Sequence, residues 1–365
     1  MFVLRDEYSG RPVAADAWKA LEPFRAAGAK SFHHFPIEQV RANYVASAQA
    51  NPLHEEVEPA TADWPVGPFQ VRVYDPRQGP ELADATPVIL FMHGGGWLMG
   101  NLETHNSLCR RLAVLTGLPV VAVDYRLAPE HPYPAAIDDC RAAYRWLSDP
   151  CAPHGLTASS IAVVGDSAGG QLAAVLANEF TAIHAADPEA VAPLSCQALL
   201  YPIVDCSRAR TEGGASYQRL ERGFPLSADT MRWFIDTFVT EESQREAADL
   251  SPLLHELPAG LPPSLVLTVD NDPLADEGSE YAAKLAQAGV DVTYRHLVGY
   301  HHGLFTSAAI IDRGRAEIAA VARFIAAAAA APSPAASEST ASSPTAAAAA
   351  PSPAAHDGTG TDPTA

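Results

Sequence analysis

From about Phe69 onward, short apolar runs alternate with amphipathic stretches. The runs at residues 69–74, 88–92, 120–123, 161–164, 198–200, 265–269 and 292–297 are short enough for strands. Several lack polar alternation, the pattern of strands buried on both faces. Between them, residues 106–115, 135–147, 171–183 and 277–288 read as helices. Strand–helix alternation of this kind predicts an α/β fold, with a mostly parallel central sheet flanked by helices.

Two segments depart from that rhythm. The first sixty residues read as helical and peripheral, with Ile37, Val40, Tyr44 and Val45 at helical spacing after Pro36, a good first-turn residue. A turn-rich stretch follows through Pro59, Pro65, Gly67 and Pro68. Residues 205–252 interrupt the sheet pattern as an insertion. There Met231, Phe234, Ile235 and Phe238 are spaced for an amphipathic helix, with Ser227 as its candidate N-cap. Together with the N-terminal helices, this insertion predicts a helical cap over the sheet's carboxyl edge. From Ala326 the chain turns to alanine and then to Pro/Ser/Thr/Ala repeats with almost no large apolar side chain, so disorder is expected after the last helix. The resulting division is 1–60 (N-terminal helices, part of the cap), 61–204 (first part of the core), 205–252 (cap insertion), 253–328 (second part of the core) and 329–365 (tail).

A chain of 365 residues, 48% hydrophobic, can bury one large core. Its net charge of −19 repels phosphate backbones, which argues against a nucleic-acid partner. No apolar run suits a membrane span; the longest, 324–331, is mostly alanine. Arg5, Asp6 and Glu7 stand where a signal peptide needs apolar residues, so a cytoplasmic location is expected. The five cysteines, Cys109, Cys140, Cys151, Cys196 and Cys206, form no CxxC pair. Buried thiols, rather than a disulfide framework or a zinc knuckle, are therefore expected.

Chemistry enters at Gly165-Asp166-Ser167-Ala168-Gly169, which lies between a predicted strand and an alanine- and leucine-rich helix. A Gly-x-Ser-x-Gly turn in this setting lifts a serine Oγ above the sheet, and Gly165 and Gly169 prevent collisions at the turn. Ser167 is thus the candidate nucleophile. Upstream, His93-Gly94-Gly95-Gly96-Trp97 follows directly on the strand at 88–92. Consecutive glycines can turn N–H groups toward a substrate oxygen, and no Gly-Lys-Ser/Thr follows to suggest a phosphate loop. The N–H groups of Gly95, Gly96 and Ala168 are therefore the candidate oxyanion donors. His93 and Gly94 read as structural members of the loop. No metal or organic cofactor is implied.

An elbow of this type orders its partners as Ser, then Asp or Glu, then His. Among the later histidines, His301 and His302 sit in the loop after the last strand, at the sheet's carboxyl edge and before Gly303, and position makes them equal candidates. For the acid, Asp272 lies just past the strand at 265–269. Asp270 also suits a strand-end turn, and Asp276 a helix N-cap.

Taken together, HGGGW at 93–97, DYRLAPEHPYPAAIDD at 124–139, GDSAGG at 165–170, DPLADEG at 272–278 and HGLF at 302–305 resemble a known family. The match is to the bacterial hormone-sensitive-lipase-like branch, family IV, of the α/β-hydrolase esterases. The resemblance runs from about Val88 to Phe305. It implies Asp272 as the acid, His302 as the base, a helical cap, and hydrolysis of short- to medium-chain acyl esters by a serine carboxylesterase. It also implies a homodimer as a common assembly. Two departures stand out: Gln171 where the family often has Asn, and Leu304 between Gly303 and Phe305. Amide, lactone or carbamate hydrolysis would use the same groups. A histidine base must be neutral, so activity should rise with pH through roughly 6 to 7. Trp97, Phe224, Trp233 and Phe234 are the candidate substrate-pocket aromatics, with Trp18, Phe32, Phe35 and Phe238 further afield.

Overall fold

The computed structural model describes residues 3–55, 57–79, 82, 84–149 and 155–331. Among these, eight strands form one sheet in the order β10-β9-β8-β7-β5-β6-β4-β3. They are β3 (Ala60–Val66), β4 (Phe69–Asp75), β5 (Thr86–Met92), β6 (Val120–Asp124), β7 (Ala158–Asp166), β8 (Leu194–Leu200), β9 (Ser264–Asn271) and β10 (Val292–His301). From β6 to β10 every pairing is parallel, whereas β4 runs antiparallel to both β3 and β6. This is the mostly parallel α/β sheet that the sequence pattern predicts.

The near-continuous apolar runs are explained by burial on both faces. On β5, Val88, Leu90 and Met92 join one hydrophobic cluster while Ile89 and Phe91 join the other. β7 divides in the same way, Ile161 and Val163 against Ala162 and Val164. The first face is covered by α4 (Ala135–Ser148), α5 (Ala168–Ala186) and α9 (Ala275–Gln287), and the second by α3 (Asn106–Thr116) and α10 (Asp312–Ala330). α3 presents an apolar stripe of Leu108, Cys109, Leu112 and Ala113, whereas α5 is buried on all sides from Ala168 to Ala177.

Ahead of the sheet come a hairpin, β1 (Val3–Arg5) with β2 (Pro12–Ala14), and two helices, α1 (Ala15–Ala26) and α2 (Ile37–Ala50). Pro36 stands at the N-cap of α2. Between β8 and β9 lie α6 (Arg208–Gly213), α7 (Ala215–Arg219) and α8 (Ala228–Phe238). Ser227 caps α8, its Oγ accepting from Thr230 N.

Three expectations need correction. The turn-rich stretch through Pro59 and Pro65 contains β3, an edge strand paired with β4 around Gly67-Pro68. It was hidden because nearly every residue of β3 faces solvent and because Pro65 is compatible only with an edge. The N-terminal segment includes a hairpin as well as helices. Finally, β10 extends through an irregularity after Leu297 to His301, so His301 is the last strand residue, paired with Asn271, rather than part of the following loop. α10 continues to Ala330; the remainder of the expected tail, from residue 332, lies outside the described residues, as does Cys151.

Candidate active site

Ser167 stands between β7 and α5 with φ 59° and ψ −120°. A non-glycine residue held there carries about 1–3 kcal/mol of strain, so the surroundings must fix it. They do: Ser167 N donates to Leu200 O at 2.8 Å, and Ser167 O accepts from Gln171 N at 3.2 Å and Ile203 N at 3.3 Å. The helix also approaches the sheet closely: a Cβ on Gly169 would lie 2.0 Å from Met92 O. Gly165 precedes the turn on β7. Ala168 opens α5, where first-turn N–H groups have no acceptor within the helix.

The glycine loop leaves β5 directly beside this elbow. Gly95 has φ 128°, and Gly96, at φ 58°, touches Phe234 so closely that a Cβ would lie 2.3 Å from its ring. The loop is tied down from several sides. Gly94 N donates to Asp166 Oδ1 at 2.8 Å, and Tyr125 Oη donates to His93 O at 2.7 Å. His93 Nδ1 lies 2.9 Å from Gly94 O, and its ring stacks on Tyr125 at 4.1 Å. Burial, with His105 beside it, pushes the His93 imidazole down to about 3, so it is neutral at ordinary pH. Asp166 is equally buried. Burial acts to raise its pKa, but the His105 ring 3.1 Å away and the Gly94 N–H outweigh that and hold it below the usual value. The elbow and the glycine loop are thus joined through one charged carboxylate.

Gln171 provides a second tie. Trp97 Nε1 donates to Gln171 Oε1 at 3.1 Å, and Gln171 Nε2 donates to Asp249 O. The side chain at this departure from the family pattern therefore bridges the glycine loop and the segment after α8.

At the ends of β9 and β10 the three acids separate by their partners. Asp270 accepts from Arg11 Nη1 at 2.7 Å and so holds the N-terminal hairpin, as does neighbouring Asn271 through Ser9 and Pro12. Asp276 accepts from Ser216 N at 2.8 Å, tying α9 to α7. Asp272 is fully buried, with Oδ1 accepting from Leu274 N at 2.9 Å and Oδ2 lying 2.7 Å from His302 Nδ1. His301 is not paired with Asp272, although it lines the same cavity as His302: its Nδ1 lies 2.8 Å from His302 O, and burial pushes its imidazole below the ordinary value. The Tyr201 ring lies 4.3 Å from that of His302. Tyr201, at φ 40°, has no sequence signal that marks it for this position.

Ser167, His302, Gly95 and Gly96 all border one cavity of about 460 Å³. Of the four pocket aromatics expected from sequence, Phe234 lines it and three do not. Trp97 is completely buried and stacked on Phe238 at 4.6 Å. Phe224 is buried beneath the Arg25 guanidinium, 4.9 Å away. Trp233 touches Phe234 at 5.1 Å but leaves the wall to it, because successive helix residues point about 100° apart. The other aromatic walls come from Phe24, Phe32, Phe35 and Tyr44. Phe24 and Tyr44 were missed as pocket residues; only the helical spacing of Tyr44 offered a hint. Among the described residues no group of three or more His, Cys, Asp or Glu could hold a metal ion, and no helix is long and apolar enough to cross a membrane.

A serine elbow, a glycine loop and an Asp–His pair at the carboxyl ends of a parallel sheet define a hydrolase of the α/β class. Residues 89–306 match a family model described as the alpha/beta hydrolase fold. Ethyl acetate hydrolase of Pseudomonas putida is 41% identical over 243 residues, 66% of this chain and 73% of that protein. Carboxylesterase NlhH of Mycobacterium tuberculosis is 39% identical over 243 residues, 66% of this chain and 72% of that protein. An alpha/beta hydrolase enzyme from the metagenome of Lake Arreo, Spain, superposes with a TM-score of 0.76 at 35% identity, covering 86% of this chain and 98% of that one. The chain belongs to this α/β-hydrolase family, in its hormone-sensitive-lipase-like branch, and is a carboxylic ester hydrolase.

Proposed function

We propose that Ser167 is the nucleophile that opens carboxylic esters of short to medium acyl chains, with His302 as its base and Asp272 orienting that base. His302 removes the Ser167 proton as Oγ bonds to the ester carbonyl carbon. The carbonyl electrons move onto oxygen, where the N–H groups of Gly95, Gly96 and Ala168 receive the charge. The tetrahedral adduct collapses, the alcohol leaves with the proton from His302, and an acyl-enzyme remains. Water then repeats the sequence and releases the acid. Asp272 favours the tautomer with the proton on Nδ1 and stabilises the imidazolium that forms.

The observation that carries this reading is the 2.7 Å contact between His302 Nδ1 and Asp272 Oδ2, on the wall of the cavity that Ser167 also borders. The cavity of about 460 Å³ falls within the range of small-molecule sites, which supports a modest acyl chain. α1, α2 and α8 supply most of its aromatic wall, which supports a cap built from the N-terminal segment and the 205–252 insertion. Cys109, Cys140, Cys196 and Cys206 are buried free thiols, which supports a reducing, cytoplasmic setting.

The test is hydrolysis of a chain-length series of acyl esters by the purified protein and by Ser167→Ala. Wild type should turn over the shorter members, and the variant should lose nearly all of that rate. Equal rates would remove Ser167 from the mechanism. Amide analogues of the best acyl group should react far more slowly than the ester.

A further inference from the structure

The chain contains only three lysines, Lys19, Lys30 and Lys284, beside 21 arginines. Two of the three, Lys19 on α1 and Lys30 just beyond it, line the cavity that Ser167 and His302 border. Both are exposed, so they stand at its mouth. Lys284, in contrast, is tied to the carbonyls of Leu253 and His255. Among the described residues neither Lys19 nor Lys30 has an ion-pair or hydrogen-bond partner. The lining contains one acid, Asp166, which is buried against Gly94 N–H and His105. The lining therefore contains two unpaired lysines and a single, buried carboxylate, on a chain of net charge −19.

The same cavity is walled by Phe24, Phe32, Phe35 and Phe234 and also reaches Ser167 and His302. A substrate matching this gradient has its ester at the floor, an aliphatic stretch along the walls and an anion at the far end. The acidic surface as a whole opposes anions, but its field is screened beyond about 8 Å at physiological ionic strength, so distant carboxylates weigh little against the two ammonium groups. Lysine suits the task. Its flexible stem lies along apolar surface while a compact charge stays in water, and it can follow chain ends of different lengths.

Building on the ester-hydrolase reading, we propose that the substrates are carboxylate-ended esters, such as half-esters of aliphatic dicarboxylic acids, whose free carboxylate is held by Lys19 and Lys30. Exposed ion pairs contribute modestly, so the two lysines together should give a preference of roughly three- to tenfold.

The experiment measures kcat/KM for monomethyl esters of linear dicarboxylic acids and for methyl esters of monocarboxylic acids of equal length. It uses wild type, Lys19→Met/Lys30→Met and Lys19→Arg/Lys30→Arg. The ratio of half-ester to neutral ester should fall by roughly three- to tenfold in the methionine variant, chiefly through KM, and should persist in the arginine variant. In wild type the ratio should shrink as salt is raised. An unchanged ratio in the methionine variant overturns the proposal while leaving the hydrolase reading intact, provided wild type cleaves the neutral ester and Ser167→Ala does not. Cleavage of neither ester by wild type would overturn both.

Discussion

His301 and His302 are neighbours in sequence with different surroundings. His301 ends a strand whose side chains alternate between faces, so one step along the chain sends His302 toward Asp272 and leaves His301 buried near α1. Replacing His302 with Gln should lower kcat by about 10³–10⁴-fold, whereas His301→Gln should cost about tenfold or less. Steady-state kinetics on the two variants decide the assignment, and the reverse order would exchange their roles. The pH profile provides a separate check. His93 is pushed down to about 3, so it does not gain a proton in the range where an ordinary imidazole does, and burial lowers His301 in the same direction. A protonated base cannot accept from Ser167, so kcat/KM should fall as pH falls, along a limb of one proton that His301→Gln does not abolish. Gly96→Ala should also cut kcat by about 10²-fold, because its Cβ would drive against Phe234 and displace the N–H proposed as an oxyanion donor.

At the level of elements, α8 combines a cap with an amphipathic stripe. Ser227 Oγ accepts from Thr230 N, and Phe234, one side chain of that stripe, forms cavity wall. Ser227→Ala should lower stability by about 1 kcal/mol, read from denaturant midpoints, and should raise KM if the position of α8 shapes the pocket. Gln171 ties elements together more strongly. Gln171→Leu would leave the buried Trp97 Nε1 and the Asp249 carbonyl without their partner, at a cost of about 1–3 kcal/mol for each group left unsatisfied. A variant as stable as wild type would show that this bridge is dispensable. The β3–β4 hairpin contrasts with both. Asp63 pairs with Arg72 across the edge, but Asp63 is largely exposed, and pairs of that kind contribute only about 0–1 kcal/mol.

Across the whole molecule, the buried ionisable groups around the elbow make stability depend on pH. His93 has a folded value of about 3 against an ordinary 6.5. Between those values the unfolded chain binds a proton that the folded chain does not, so stability is lost as pH falls through that window. Asp166 acts in the same direction, since its lowered value gives stability that is present at neutral pH and lost as pH falls through the folded value. The thermal midpoint should therefore decline from pH 6.5 toward 4, and His93→Asn should flatten part of the decline. An unaltered slope in that variant would falsify the His93 contribution.

Much of this protein is written locally. The alternation of apolar runs fixed the sheet and its flanking helices because strands buried on both faces need continuous apolar residues, as β5 and β7 show. The elbow at Ser167 and the loop at Gly94–Gly96 were legible because steric demands at a tight turn restrict the residue types. The exposed strand β3 was not legible, since a solvent-facing edge imposes no apolar pattern. Spacing alone also left His301 equal to His302 and three aspartates in play, because a hydrogen bond between strand ends 30 residues apart depends on register and side-chain direction. The pocket walls were decided most completely by tertiary structure. Trp97, Phe224 and Trp233 have the composition of a binding site, yet packing buries the first two and turns the third away, while Phe24 and Tyr44 line the cavity. Residue type determines that a side chain will be buried; only the assembled helices determine whether it is buried against the core or against a substrate.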